Sequence, residues 1–206
     1  MYGKTFSTHF KYLFNLSQIK DQYTCDKCKV QKAYHNMWET IKNDVIGDLK
    51  EMKKATGLNT LYITGISMGG GLSVISYIDI NQQKIFGEVK ITTYGAPRVG
   101  NKHWAAHFDL ITGKRAKRYY IKGDEIVVLP RCLTLLCTYR QTGVGIICNP
   151  DQKLCVQEEY IPEDRPLQYF MEIQKNRKYL ADESNLGNII DHMNGYPDLY
   201  NYTLKL

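Results

Sequence analysis

The chain has 206 residues, 43% of them hydrophobic and 23% charged, and carries a formal charge of +6. That length supports one domain with a substantial core, and the composition excludes an intrinsically disordered segment. No apolar run is long enough to span a bilayer. The basic residues are scattered and dense only at 113–118, which reads as a solvated face rather than a nucleic-acid surface.

The opening stretch, MYGKTFSTHFKYLF, has no continuous apolar segment and no small-residue cleavage site, so no secretory signal is expected within it. Six cysteines fall as three close pairs: Cys25 and Cys28, Cys132 and Cys137, Cys148 and Cys155. Close pairs in even number fit disulfides and an oxidising compartment. A zinc site would want a second close pair or histidines at ligand spacing near Cys25-x-x-Cys28, and neither is obvious. Local bridges Cys132–Cys137 and Cys148–Cys155 are the simplest pairing of the later four. Sequons at Asn15 and Asn201 point weakly the same way.

From Met37 to Met52, apolar residues recur at three- and four-residue steps (Met37, Trp38, Ile41, Val45, Leu49, Met52), which predicts an amphipathic helix with Gly57 as its stop. TLYIT (60–64) reads as a short buried strand, and GGLSVISYIDI as a helix behind it. Between them lies Gly65-Ile66-Ser67-Met68-Gly69, a G-x-S-x-G at a strand-to-helix turn. Such a turn exposes a serine Oγ at the carboxyl end of a sheet, and Gly65 and Gly69 are expected to leave room for it. Backbone N–H groups at the helix start, beginning with Met68, can face a developing oxyanion.

A second strand, EVKITTY (88–94), is closed by GAPRVG. A helix around NKHWAAHFDL leads to a third strand, KRYYIK (117–122). Strands alternating with helices predict βαβ units, a mostly parallel sheet and a three-layer α/β domain. YRQTGVGIIC and KLCVQ read as two hairpin strands, and residues 166–180 as a helix.

A serine nucleophile needs a base, and the base an orienting carboxylate. With this elbow the chain order is Ser, then Asp or Glu, then His. Asp124 follows the third strand, at the same sheet end as Ser67, and Glu125 beside it is a chemical alternative. Of five histidines (His9, His35, His103, His107, His192), only His192 follows Asp124.

At this point the sequence resembles the class 3 (fungal-type) lipase family of the α/β-hydrolase superfamily. LYITGISMGGGLSVISYIDI resembles its strand–elbow–helix, usually T-G-H-S-L-G-G-A-L, and TYGAPRVGNKHWAAHF its T-[FY]-G-[SA]-P-R-V-G-N segment. YYIKGDEIVVLP resembles the stretch with the catalytic aspartate, YRQTGVGI the Y-x-H-x-G-x-E hairpin, DHMNGY the D-H-x-x-Y around the catalytic histidine, and CDKCKVQKAYHNMW the C-x-x-C-x-V-H-x-G-F run. The resemblance covers roughly residues 10–200. It implies an α/β-hydrolase-like, mostly parallel sheet with helices on both faces, a Ser67–Asp124–His192 triad, and a Cys25–Cys28 bridge. It implies no cofactor and no metal.

Three positions depart from the pattern. Ile66 replaces the histidine before the nucleophile, and is expected to pack beneath the elbow. Gln31-Lys32-Ala33-Tyr34 replaces H-x-G-F, and Gln141 replaces the hairpin histidine without a consequence readable from sequence. Family members carry further strands upstream, ending in F-R-G-[TS], which supplies a second oxyanion donor. YGKT (2–5) stands roughly there, making Thr5 the candidate second donor.

Residues 1–206 are thus expected to form a single, N-terminally truncated domain, with 1–20 as a candidate lid and oxyanion segment. Truncation would leave an exposed sheet edge. The expected function is a serine ester hydrolase, triacylglycerol lipase-like or phospholipase-like, acting on a lipid ester at a membrane or lipid-droplet surface. The alternative is a catalytically weak or inactive lipase-like subunit whose open edge meets a protein partner.

Overall fold

The computed structural model describes residues 17–21, 24–130, 139–158, 196 and 203–205. Thr5, Cys132, Cys137, His192, both sequon asparagines and the helix expected at 166–180 lie outside the described residues.

Two short strands come first, β1 (Gln18–Lys20) and β2 (Lys29–Gln31), paired antiparallel. A Cys25–Cys28 disulfide closes the connection between them. Helix α1 follows (Lys32–Thr56), longer at both ends than its apolar periodicity suggested. It stops where expected: Gly57 takes the left-handed conformation (φ +67°) and its N–H donates to the Lys53 carbonyl. Lys53 and Lys54 sit in the last turn, favourably placed for the helix dipole.

Strand β3 (Thr60–Ile66) leads into helix α2 (Ser67–Gln82). Strand β4 (Glu88–Tyr94) and the two-residue β5 (Gly100–Asn101) precede helix α3 (Lys102–Thr112). The Asn101 side chain caps α3 by accepting the Trp104 N–H at 2.9 Å. Then come β6 (Ala116–Ile121), β7 (Tyr139–Arg140), β8 (Val144–Asn149), β9 (Leu154–Gln157) and β10 (Thr203–Lys205).

The larger sheet has the order β10-β9-β8-β6-β4-β3. All its neighbours are parallel except β8 and β9, whose antiparallel pairing sets Cys148 opposite Cys155, bridged as expected. The fold class is therefore α/β with a mostly parallel sheet. A second sheet, β1-β2-β5-β7, was not anticipated. It draws Tyr139 and Arg140 away from the strand they were expected to begin.

The three helices meet in one core. Tyr34, Trp38 and Ile46 of α1, Tyr77 and Ile78 of α2, and Trp104 and Phe108 of α3 belong to a single buried cluster. Two buried carboxylates are satisfied inside it. The Trp38 indole donates to Asp79 Oδ2 at 2.5 Å, with the Lys42 ammonium 2.8 Å from the same oxygen, and the Trp104 indole donates to Asp21 Oδ2 at 2.6 Å. Charges removed from water need such partners.

The apolar stripe of α1 is less buried than its pattern suggested: Ile41 is 39% and Met52 40% exposed. The cause is β3, which ends the larger sheet among the described residues. Ile41, Val45 and Leu49 of α1 face Leu61 and Ile63 of β3 and Leu72 of α2 across an open groove of about 380 Å³. Beyond β3 no strand stands to close it among the described residues.

Candidate active site

The parallel register puts the ends of three strands level. Ile66 of β3 lies beside Tyr94 of β4, and Tyr94 beside Tyr119 of β6. Ser67 follows β3 directly. Asp124 follows β6 by three residues, through a turn in which Gly123 has φ +91° and the Asp124 N–H donates to the Ile121 carbonyl. Both therefore stand at the carboxyl end of the sheet, where open α/β sheets bind ligands.

Ser67 is the first residue of α2, 6% exposed, with φ +53°. A left-handed conformation at a non-glycine residue costs of order 1–3 kcal/mol and persists only where the surroundings impose it. Here β3 and α2 impose it together. A Cβ on Gly65 would stand 2.4 Å from the Gly69 carbonyl oxygen, so only glycine allows the strand to approach the helix start. Ser73 adds a clamp: its hydroxyl donates towards the carbonyls of Gly69 (2.9 Å) and Thr64 (3.1 Å).

The other expected glycine requirement does not hold. A Cβ on Gly69 would meet nothing within 4 Å, whereas one on Gly70 would lie 2.8 Å from the Ala96 Cβ, and one on Gly71 2.6 Å from the Tyr34 ring. The tight packing lies one and two residues further along α2. Ile66 is a second correction. It is 37% exposed rather than packed beneath the elbow, because strand alternation puts it on the same side as exposed Tyr62.

Asp124 is held at both oxygens. Oδ1 accepts the Ile126 N–H at 2.9 Å, and Oδ2 accepts the Tyr196 hydroxyl. Tyr196 is 5% exposed, and its oxygen also accepts the Ile121 N–H at 3.2 Å. Burial and the adjoining Asp124 charge push the Tyr196 hydroxyl well above the usual tyrosine range, so it remains a donor. Glu125 stands immediately before the 3₁₀ turn Ile126–Val128 and makes no side-chain cap bond to it, while the tyrosine is bonded to Asp124. Tyr196 stands four residues after His192, one more than the D-H-x-x-Y pattern has. Its contact with Asp124 was not foreseen, although the pattern's own tyrosine was the available signal.

Oxyanion donors would come from the start of α2, where the first N–H groups, Met68 among them, have no partner within the helix. Gln141 was also missed as a site residue. Its side-chain nitrogen donates to the Ala96 carbonyl at 3.0 Å and to the Val127 carbonyl at 2.5 Å.

Comparison with known proteins gives the family and the fold. Residues 4–134 match the family described as Lipase (class 3). The secreted mono- and diacylglycerol lipase 2 of Gibberella zeae is 24% identical over 118 residues, covering 53% of this chain and 29% of the relative. Among solved structures, the mono- and diacylglycerol lipase of Aspergillus oryzae superposes with a TM-score of 0.58 at 22% identity, over 71% of this chain and 50% of that one. Lipase II of Rhizopus niveus gives 0.59 at 23%, over 65% and 50%. The chain thus spans about half the length of these solved structures and under a third of that curated relative. The match covers well over half of its residues, and the chain belongs to the class 3 lipase family.

Proposed function

We propose that this chain is a hydrolase of lipid carboxylic esters, working as one domain through Ser67, Asp124 and His192. The observation that carries the reading is the left-handed Ser67 at the end of β3, with Asp124, doubly hydrogen-bonded, at the same end of the sheet. Ser67 Oγ attacks the acyl carbon while His192 takes its proton. His192 then returns the proton to the departing alcohol, leaving an acyl-enzyme. Water, deprotonated by the same imidazole, releases the fatty acid and restores the serine. Asp124 fixes the imidazole's tautomer and stabilises its charged form. The Met68 N–H, with Thr5 as second donor, receives the tetrahedral oxyanion.

Substrates are acylglycerols or related lipid esters presented at a membrane or lipid-droplet surface, as the mono- and diacylglycerol lipase names of the relatives suggest. Secreted relatives and the two disulfides among the described residues support an oxidising or extracellular setting. The comparisons give no support to a non-catalytic subunit. The test is labelling with a serine-reactive phosphonate, alongside turnover of mono-, di- and triacylglycerols. Wild type should label and turn over, and Ser67→Ala should do neither. Equal labelling of the two proteins would refute the assignment.

A further inference from the structure

We propose that Gln141 is a positioning residue that holds the Ser67 turn and the Asp124 loop in register with one another. The inference rests on reading those two residues as members of one triad. Gln141 lies in the short link between β7 and β8, in a chain segment that contributes neither nucleophile nor acid. Its side chain nevertheless reaches two loops that do. One bond goes to Ala96, 45 residues away, and the other to Val127, 14 residues away.

Both partners are carbonyl oxygens, which only accept, so the amide must turn its NH₂ towards them. That group has two N–H donors, one for each carbonyl. A link of this kind has a defined orientation and a defined length.

What lies behind each carbonyl gives the link its meaning. Ala96 backs onto the first turn of α2, close enough that a Cβ on Gly70 would stand 2.8 Å from its methyl group. Ser67 is three residues before that contact. Val127 belongs to the 3₁₀ turn Ile126–Val128, whose Ile126 N–H binds Asp124 Oδ1. One carboxamide therefore joins the backbone behind the nucleophile to the backbone behind the acid. The Arg98 N–H, donating to the Leu129 carbonyl at 2.7 Å, joins the same two loops one step further out. A serine–carboxylate pair held from two separate loops has no covalent reason to keep its spacing, and a misplacement of about 1 Å can cost 100-fold in rate. The resemblance places a histidine here. A neutral imidazole offers one N–H, so a histidine would keep one of the two bonds.

The experiment uses the full chain and three variants, with active sites titrated by a phosphonate so that kcat is expressed per competent serine. Gln141→Leu removes both donors, Gln141→Glu removes them at nearly constant size, and Gln141→His restores one. Gln141→Leu and Gln141→Glu should lower kcat about tenfold with KM unchanged. Gln141→His should recover a large part of that loss. A merely structural role would lower the melting temperature and the titratable fraction but leave kcat per titrated site alone, and that result overturns the proposal. So does a histidine variant no better than leucine. Absence of Ser67-dependent labelling in wild type would instead remove the triad reading itself, and this proposal with it.

Discussion

The hydroxyl of Tyr196 donates to Oδ2 of Asp124 and accepts the N–H of Ile121, so one side chain fixes both the acid and the strand end that carries it. Tyr196→Phe removes the donor and keeps the ring. Losing a hydrogen bond to a charged group should lower kcat/KM about tenfold. Steady-state kinetics on a soluble ester checks this, with a melting curve to confirm folding.

Ser67 pays in stability for its backbone angle. Glycine adopts that angle freely, so Ser67→Gly should abolish ester hydrolysis while raising stability by about 1 kcal/mol. Ser67→Ala should abolish hydrolysis without the gain. Denaturant titration of the three proteins separates strain at the elbow from loss of the hydroxyl.

The glycines of the elbow should differ sharply. Gly69→Ala meets open space and should stabilise α2 by about 0.5–1 kcal/mol. Gly71→Ala drives a methyl into the Tyr34 ring and should cost about 2 kcal/mol. Gly65→Ala meets backbone, which cannot rotate away, and should prevent accumulation of folded protein. Urea midpoints and soluble yield rank the series.

Tyr34 is 1% exposed, and its hydroxyl finds no hydrogen-bond partner among the described residues. Tyr34→Phe should therefore raise stability by about 1 kcal/mol, since an unsatisfied buried hydroxyl carries a desolvation penalty. Burial also holds this hydroxyl's pKa above the usual value of 10. A raised folded pKa means that stability is unaffected by this group's titration below pH 10 and falls as pH climbs beyond it, at about 1.4 kcal/mol per pH unit. Tyr34→Phe should flatten the fall in melting temperature between pH 9.5 and 11.

The strand–elbow–helix around Ser67 and the turn carrying Asp124 were legible because each is a local unit, whose apolar pattern, glycines and acid lie within some twenty residues. Strand β4 has its expected bounds, since seven residues suffice to show alternation. The β1-β2-β5-β7 sheet was not legible. Its strands are two or three residues long, too short to carry a period, and exist through pairing with distant chain. Gln141 was read as a bare substitution because its partners lie 14 and 45 residues away. Ile66 was misplaced for a related reason: which side of a strand is buried depends on what lies over it, and β3 ends the sheet among the described residues.

Strand β3 carries no charge, no proline and no bulge along its seven residues. Natural sheets usually guard an open edge with one of these. Among the described residues β3 has no outer neighbour, and it runs straight into Ser67. Whatever extended chain settles on it would also stiffen the turn that holds Ser67 in its left-handed pose. Whatever peels it away would let the serine relax out of that pose. Pairing along this edge and the pose of Ser67 thus share one short stretch of backbone, Thr60 to Ile66.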